Sequence, residues 1–470
     1  MARRTAAPAQ LNRVLGPIGV MMLSFSALSP VFSVYIGGNE VMRMAGSGAA
    51  LAFIIGGLTS GTLAVLYAEI GAAFPGAGGI YPSLTALLGR FMTFPYIVLM
   101  LPIALGQVSF AALGMADYLR VLDPHVAYMP VALGSLALAA LIAILNVRHG
   151  ALVTGAFLAV EAVLIVVLVA IALLHPARGL DVLLAHPRML AQGRMLPTPL
   201  ATLGLATVSG IWACGGASWA LYFAEEMHDV RKKIGRVIAW IGALGALTIA
   251  APMVVMLMSA PDLPRVLAAE TPFAEFLTER AGRGVADAAA IAVVAAVFNA
   301  TVATIMAFGR YLYATARDGI WPSLVAAPLA RLSPRFHTPV IASLVLTIGS
   351  AAMCFVGERA ILILISGNVF DYLLISFGLI LGRRRGQTGR DYRAPAHPVI
   401  PVFALAVVAF TVFTDLLDPK AGRPSILLLI GLFLGALAYY HWRLREASAS
   451  WRIGGAETEP VVTASPAPAE

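Results

Sequence analysis

Charged side chains are scarce in this sequence of 470 residues. Asp, Glu, Lys and Arg make up 12% of the chain, whereas hydrophobic residues make up 60%. A water-soluble domain has roughly 25% charged and about 45–50% apolar residues. The composition therefore largely excludes soluble enzymes and nucleic-acid binders, and it is typical of a protein whose solvent is the lipid bilayer.

The net charge of +8 does not change this interpretation. The basic residues lie in short clusters between apolar segments, and such clusters act as a signal for membrane orientation. We therefore expect no nucleic acid as a partner.

Cysteine is also scarce. The two cysteines, Cys214 and Cys354, both lie inside apolar segments, which excludes a disulfide framework and a cysteine-based metal site. The apolar segments contain no HExxH motif, no paired histidine ligands and no nucleophile spaced next to a base. We expect neither an enzyme nor a resident metal or cofactor.

Long apolar runs are what the sequence has instead. A membrane-spanning helix needs ~20 mainly apolar residues, and polar or Pro/Gly interruptions divide the chain into about twelve such segments. The predicted spans are 14–42, 49–73, 92–119, 126–146, 150–175, 199–225, 234–259, 285–315, 339–357, 359–382, 398–416 and 424–443. The sequence thus predicts an all-α membrane protein with the bilayer as its surroundings.

The distribution of basic residues predicts the orientation. If the N-terminus is cytoplasmic, 20 of the 32 Lys and Arg residues fall in inside segments and 11 in outside loops. Because an even number of spans returns the chain to the same side, we expect both termini to be cytoplasmic. Arginine outnumbers lysine 29 to 3, which favours a GC-rich bacterial source and the inner membrane.

The two ends of the chain differ from the rest. Residues 1–12 and 446–470 are rich in Ala, Pro, Ser and Glu without periodicity, and they are predicted to be disordered tails. The loops between the spans are short. We therefore predict a single transmembrane domain over residues 13–445.

Two of the predicted helices contain breaks. The first span has three serines followed by Pro30, which predicts a break over the stretch from Ser26 to Pro30. The sixth has the pair Gly215 and Gly216 near its middle. Irregular backbone at membrane depth persists only where it lines a cavity. Interrupted helices five spans apart indicate an inverted repeat with a substrate between the breaks. The alternative is that both are kinks or close-packing points, which are common in membrane helices.

Three motifs carry a resemblance to a known family. Residues 67–81 (YAEIGAAFPGAGGIY), 223–234 (FAEEMHDVRKKI) and 312–322 (LYATARDGIWP) are similar to signatures of the amino acid permeases in the amino acid-polyamine-organocation (APC) transporter superfamily. The resemblance implies a LeuT-like fold of five plus five inverted helices, with helices 1 and 6 broken. The first repeat would cover residues 14–175, the second 199–382, and two peripheral helices 398–443.

The family implies a zwitterionic substrate held by backbone groups. The amides around Val31 to Ser33 would form a positive helix end for the carboxylate, and carbonyls beside the two breaks would hold the ammonium. The small side chains near the breaks favour a substrate with a neutral or modest side chain. The predicted substrate-binding residues are Ser26, Ala27, Ser29, Val31, Phe32, Ser33, Trp212, Ala213, Cys214, Gly215, Gly216 and Ser218.

Trp212 matches the position of an aromatic gate in relatives. It lies four residues before Gly216, ~20 Å into its span at 1.5 Å per residue. A wide ring beside a broken helix can close a pathway by one change of rotamer. The alternative is an aromatic side chain packed in the core.

Glu161 is the deepest acid of the first repeat. It resembles in position a lysine that several relatives carry on the fifth span, where sodium-coupled members bind their ion. A carboxyl group in apolar surroundings can exchange a proton near neutral pH, so Glu161 is the candidate for proton coupling. Sodium is the alternative coupling ion, and a structural hydrogen bond to a neighbouring helix is the alternative role.

Three further polar residues lie near the predicted midplane. Asp371 could bind a cationic substrate group, take part in a proton path or hydrogen-bond within the bundle, while Gln107 and Asn299 could line the cavity or join helices. Near the cytoplasm, Arg310 and Arg317 could pair with acids that follow the sixth span, Glu225, Glu226 or Asp229, as an inner gate.

These features together predict a secondary active transporter that moves an amino acid or related amine by alternating access with proton coupling. An exchanger without net proton coupling is the first alternative. A membrane channel or receptor is more remote, because neither requires two broken helices in register and no filter motif is present.

Overall fold

The computed structural model describes residues 11–76, 78–123, 125–365, 369–419, 422–451 and 453. Most of the first predicted tail (1–10) and most of the second (452 and 454–470) lie outside these residues. The described chain is almost wholly helical, which confirms the all-α prediction.

The chain contains twenty α-helices among the described residues. They are α1 (Pro17–Leu28), α2 (Pro30–Phe32), α3 (Gly38–Ala45), α4 (Ala49–Ala73), α5 (Tyr81–Leu88), α6 (Arg90–Leu122), α7 (Tyr128–Ala143), α8 (Val147–Leu174), α9 (Leu180–Ala185), α10 (Leu200–Cys214), α11 (Val230–Ser259), α12 (Leu263–Ala268), α13 (Pro272–Ala281), α14 (Arg283–Arg317), α15 (Ser323–Leu329), α16 (Val340–Met353), α17 (Glu358–Ile365), α18 (Val369–Arg384), α19 (Val399–Leu417) and α20 (Gly422–Tyr439).

Shorter helical turns and one hairpin complete the secondary structure. The π-helical turns are Ser33–Gly37 and Tyr440–Leu444, and the 3-10 turns are Gly46–Gly48, Ala217–Glu226, Cys354–Val356 and Ala447–Ser450. Strands β1 (Arg188–Ala191) and β2 (Arg194–Pro197) pair antiparallel, with Arg188 opposite Pro197.

Several helical segments are long and apolar enough to cross a bilayer. Eight of these lie within the described residues: Pro17–Ala73, Arg90–Arg120, Val147–Leu174, Leu200–Glu226, Val230–Ser259, Arg283–Arg317, Val399–Leu417 and Gly422–Leu444. Two shorter apolar segments, Tyr128–Ala143 and Val340–Val356, accompany them. The chain is therefore a multi-pass membrane protein.

The first helix is interrupted at a single residue. Helix α1 ends at Leu28, Ser29 adopts a positive φ of 41°, and α2 begins at Pro30. Proline suits the first position of a helix because the missing N–H needs no partner there. The break is narrower than the predicted stretch from Ser26 to Pro30, because α1 stays helical to Leu28 and the amide of Ser29 still donates to the carbonyl of Phe25 at 2.7 Å.

The second interruption falls on the predicted glycine pair. Helix α10 ends at Cys214, Gly215 is extended, and the chain continues after Gly216 as the 3-10 helix Ala217–Glu226. A Cβ atom on Gly216 would lie 2.6 Å from Cδ1 of Leu28, the last residue of α1. The two interruptions therefore pack directly against each other, and any side chain at Gly216 would force Leu28 to shift.

Close helix packing surrounds the interruptions. Helix α4 packs against α10 and α11, and α1 packs against α8 and α14. A Cβ on Gly56 of α4 would lie 2.4 Å from the carbonyl carbon of Gly210 on α10. Small residues allow the backbones of membrane helices to approach in this way.

The two ends of the helix bundle can be told apart by their loops. At one end, the backbone amide of Arg188 in the β-hairpin donates to the hydroxyl of Ser47 at 2.8 Å; we call this the hairpin side. At the other end, the amides of Val14 and Leu15 donate to the carbonyl of Glu226 at 2.9 Å; we call this the terminal side.

Candidate functional site

A cavity of about 110 Å³ lies between the two interruptions. Its walls come from α1, α4, α6, α10, α14, α18 and the chain around Gly216. The lining residues are Ala27, Leu28, Phe32, Ser33, Ser60, Leu63, Tyr67, Gln107, Phe110, Ala111, Trp212, Ala213, Gly215, Gly216, Ala217, Ser218, Trp219, Ala300, Thr304, Asp371 and Tyr372.

The structure brings most of the predicted site residues to this cavity. Those that line it are Ala27, Phe32, Ser33, Trp212, Ala213, Gly215, Gly216, Ser218, Gln107 and Asp371. Those that lie buried behind its wall are Ser26, Ser29, Val31, Cys214, Glu161 and Asn299. None of the second group is among the lining residues, and hydrogen bonds connect Glu161 to Ser29 and to Asn299.

Glu161 joins three helical segments behind the cavity. Its carboxylate accepts a hydrogen bond from the Ser29 hydroxyl at 2.8 Å and another from the Asn299 side-chain amide at 3.0 Å. The backbone amide of Val31 donates to the same carboxylate. Glu161 on α8 is thereby connected to the break after α1 and to α14.

The first amides of α2 are already hydrogen-bonded. The amide of Val31 donates to Glu161, that of Phe32 to the Ser29 hydroxyl at 3.2 Å, and that of Ser33 to the Ser29 carbonyl at 3.0 Å. This differs from the free amides expected from the sequence. The reason is that a carboxylate from α8 and the hydroxyl of Ser29 supply acceptors within the protein, as caps do at other helix starts.

The carbonyls beside the breaks are less fully used. Pro30 has no N–H, so the carbonyl of Ser26 lacks its usual helical donor. Helix α10 stops at Cys214, so the carbonyl of Ala213 loses its helical donor in the same way. Ala27 and Ala213 both line the cavity. This part of the wall presents acceptors suited to an ammonium group.

Three aromatic rings meet on the hairpin side of the cavity. The ring of Trp212 lies 6.4 Å from that of Phe110 in a T-shaped contact, and Phe110 lies 5.9 Å from Phe32 in the same geometry. Each of the three residues comes from a different helical segment and lines the cavity. We call these three the hairpin-side cluster.

A second aromatic cluster lies toward the terminal side. The Trp219 ring lies 5.2 Å from Phe308 and 5.7 Å from Tyr222, and Tyr222 also contacts Phe308 at 5.5 Å. The cavity is thus bounded by aromatic rings on both sides.

Ion pairs lie beyond this second cluster. Arg310 on α14 is fully buried and contacts both carboxylate oxygens of Glu226, at 2.5 and 3.0 Å. Arg317, two turns further along α14, contacts Glu225 at 2.9 Å. The structure therefore has two of the pairings considered from the sequence. Asp229 instead pairs with Lys233 at 2.8 Å, and this hydrogen bond lowers the pKa of Asp229 below its ordinary value.

A further ion pair ties α18 to the end of α4 on the same side. The guanidinium group of Arg383 contacts both carboxylate oxygens of Glu69. The backbone amide of Ala394 donates to the same carboxylate at 2.7 Å. These pairs connect several helices on the terminal side of the cavity.

Several lining residues were not among the sequence candidates. Ser60, Leu63 and Tyr67 lie on α4 at a spacing of three and four residues, as one face of a helix requires. The pair Ala300 and Thr304 on α14 has the same spacing. The periodicity was visible in the sequence, but apolar residues on every face of these spans gave no sign of which face is inward.

A helical membrane protein with a cavity between two interrupted helices has the architecture of a transporter. The chain belongs to the amino acid permease family, whose model matches residues 15–435. The protein is therefore a permease and not an enzyme.

The curated relatives are transporters as well. Over 434 residues the chain is 25% identical to Asc-type amino acid transporter 1 of Homo sapiens, covering 87% of this chain and 79% of the relative. It is 23% identical to the branched-chain amino acid permease BcaP of Lactococcus lactis subsp. cremoris (strain MG1363), covering 83% and 87%. It is 21% identical to the methylthioribose transporter of Bacillus subtilis (strain 168), covering 92% and 93%.

Proposed function

We propose that the protein is a secondary active transporter that moves an amino acid or related amine by alternating access, coupled to protons. The observation that carries the proposal is the cavity between the breaks at Ser29 and Gly215–Gly216, bounded on each side by aromatic rings. The names of the curated relatives support an amino acid as the substrate class.

The proposed architecture has twelve spans arranged as two inverted repeats of five with two peripheral helices. The segment Pro17–Ala73 has 57 residues, or ~86 Å as one helix at 1.5 Å per residue, against a hydrocarbon core of ~30 Å. A reversal at Gly46, where φ is 61°, divides it into two spans. This division turns the eight long segments into nine spans. The two shorter apolar segments, and the α17–α18 pair counted as one span, bring the total to twelve.

The proposed substrate position follows from the chemistry of the cavity wall. The carbonyls of Ala27 and Ala213 suit the ammonium group of an amino acid. Its carboxylate would lie toward the Ser33 hydroxyl and the start of α2, where the helix end is positive.

In this proposal, proton coupling arises because the carboxylate of Glu161 and the carboxylate of the substrate compete for the start of α2. The start of α2 already stabilises the carboxylate of Glu161 through Ser29 and Val31. A second carboxylate from the substrate would be repelled by the first. When Glu161 takes up a proton, the repulsion disappears and the amide of Val31 loses its anionic acceptor. Binding of substrate and binding of a proton therefore favour each other.

Alternating access requires that each side of the cavity open in turn. On the hairpin side, movement of the Trp212 ring away from Phe110 would open a path. On the terminal side, opening would separate α14 from the chain that follows α10, and therefore break the pairs Arg310–Glu226 and Arg317–Glu225. We place both termini in the cytoplasm of a bacterial cell, so that the terminal side faces inward.

Reconstituted proteoliposomes test the proposal. Uptake of radiolabelled amino acids would be measured in sodium-free buffer, with the lumen more alkaline than the outside, with the gradient abolished by a protonophore, and with no gradient imposed. We expect saturable uptake that the gradient drives above equilibrium. Uptake that never saturates would contradict a carrier. Uptake that depends on sodium would show that sodium, and not the proton, is the coupling ion. Uptake driven only by internal amino acid would identify an exchanger.

A further inference from the structure

Asp371 has an unusual environment for a charged residue. It lies in the first turn of α18, is 9% exposed and lines the cavity. One hydrogen bond reaches its carboxyl group from the side chain of Tyr96. Its Oδ1 atom is buried and has no hydrogen-bond partner among the described residues. A buried carboxylate oxygen without a partner is costly unless a ligand or ion completes it.

The rest of the cavity wall also favours a positively charged ligand. Among the described residues that line the cavity, Asp371 is the only acidic one, and none is basic. Six of the lining side chains are aromatic: Phe32, Tyr67, Phe110, Trp212, Trp219 and Tyr372. The faces of aromatic rings attract cations, and cages of such rings recognise ammonium groups.

A zwitterionic substrate with an uncharged side chain has no group that would pair with Asp371. The two charges of an α-amino acid cancel each other, so binding at the breaks would leave Asp371 without a counter-charge in a region of low dielectric. A second ammonium group on the substrate would provide that counter-charge and occupy the open position at Oδ1.

We propose that Asp371 is a specificity-determining residue that binds an ammonium group at the end of the substrate's side chain. The preferred substrate is then an α-amino acid with an amino-terminated side chain, and its net charge is positive. This inference rests on the proposed function, since it concerns the same cavity. It replaces the neutral side chain expected from the small residues at the breaks, because the cavity wall also contains Asp371 and six aromatic side chains.

Asp371 lies on a different helix from the groups proposed to bind the part of the substrate that all amino acids share. Asp371 comes from α18, whereas the carbonyls proposed for the α-ammonium group come from α1 and α10. Removing the charge of Asp371 should therefore remove the preference for a cationic side chain and leave the common amino acid contacts in place.

The test compares amino acids of equal size that differ in one terminal group. Ornithine and norleucine have the same number of side-chain atoms beyond Cα, and an ammonium group in one replaces a methyl group in the other. Both compounds, with 2,4-diaminobutyrate and norvaline as a shorter pair, would compete with radiolabelled ornithine and with radiolabelled norleucine in proteoliposomes. The variants are Asp371→Asn, Asp371→Glu and, as a buried acid outside the cavity, Asp415→Asn.

For the wild-type protein, we expect ornithine to compete at a concentration at least about tenfold lower than norleucine, as a charge-assisted contact in a desolvated site allows. The ratio should fall to about one in Asp371→Asn, with norleucine uptake retained, and should persist in Asp371→Glu and Asp415→Asn.

The outcomes separate this inference from the proposed function. Equal competition by ornithine and norleucine in the wild-type protein would overturn the inference while leaving a carrier in place. Loss of norleucine uptake in Asp371→Asn would also overturn it, because the residue would then serve folding or gating. Absence of saturable uptake for every compound in the wild-type protein would instead refute the transporter assignment on which the inference rests.

Discussion

The carboxylate of Glu161 and the hydroxyl of Ser29 are joined by a 2.8 Å hydrogen bond across 132 residues of sequence. Ser29 is the residue at which the first span breaks, and Glu161 lies inside a continuous helix. The contact therefore connects the break in the first span to the continuous helix α8. It also places an ionisable group where a change of one proton alters the contacts of the break.

Replacing Glu161 by glutamine tests the coupling role. A glutamine side chain keeps the size and can still accept from Ser29, but it cannot exchange a proton. We expect Glu161→Gln to retain exchange of internal for external amino acid and to lose accumulation driven by a pH gradient. The measurement is uptake with and without the gradient in proteoliposomes. Asp181→Asn on α9 is the control, and gradient-driven accumulation in Glu161→Gln equal to that of the control would rule out the role.

Trp212 offers a test of the hairpin-side cluster. Truncation to alanine removes the ring that meets Phe110 and leaves the backbone of α10 unchanged. We expect Trp212→Ala to raise the substrate concentration for half-maximal uptake by about three- to tenfold, since an aromatic contact is worth about 0.5–1.5 kcal/mol beyond its buried area. Trp212→Phe should recover most of the loss. Wild-type uptake kinetics in Trp212→Ala would show that the ring does not retain substrate.

The breaks themselves were predictable because they depend on local chemistry. Proline lacks an N–H and glycine lacks a Cβ, and these properties of Pro30, Gly215 and Gly216 act wherever the chain folds. The sequence therefore located both interruptions to within a few residues. It made the first one too long, because the extent of a break depends on which groups nearby can replace the lost hydrogen bonds.

The partners of the breaks could not be predicted in the same way. That Glu161 accepts from Val31 is a consequence of how α8 packs against α1, which no spacing in the sequence records. The inward face of α4, marked by Ser60 and Tyr67, was hidden for a related reason. In a bundle surrounded by lipid, outward faces are as apolar as inward ones, so hydropathy does not distinguish them.

A side chain at Gly216 should weaken the contact between the two breaks. A methyl group there would lie 2.6 Å from Cδ1 of Leu28 and 3.0 Å from its Cβ, so Leu28 would have to shift. We expect Gly216→Ala to lower the free energy of unfolding by about 1–3 kcal/mol, the usual cost of overpacking, and to reduce uptake. The matched control is Gly431→Ala in α20, where an added Cβ meets nothing within 4 Å. Unfolding in detergent at equal midpoints for the two variants would contradict the close contact.

Arg310 and Glu226 form a buried ion pair. Replacing one of the two residues should destabilise the protein far more than replacing both. Arg310→Met leaves the Glu226 carboxylate buried without a counter-charge, which costs about 3–5 kcal/mol, whereas an apolar pair of similar volume costs much less. We therefore expect Arg310→Met to unfold well below the wild-type protein in detergent, and the double variant Arg310→Met with Glu226→Leu to recover most of the difference. Because opening of the terminal side breaks and re-forms this pair in the proposed cycle, the double variant should also lose uptake while remaining folded. A double variant that transports at the wild-type rate would show that the pair serves stability alone, and additive losses of stability in the two single variants would show that the residues do not interact.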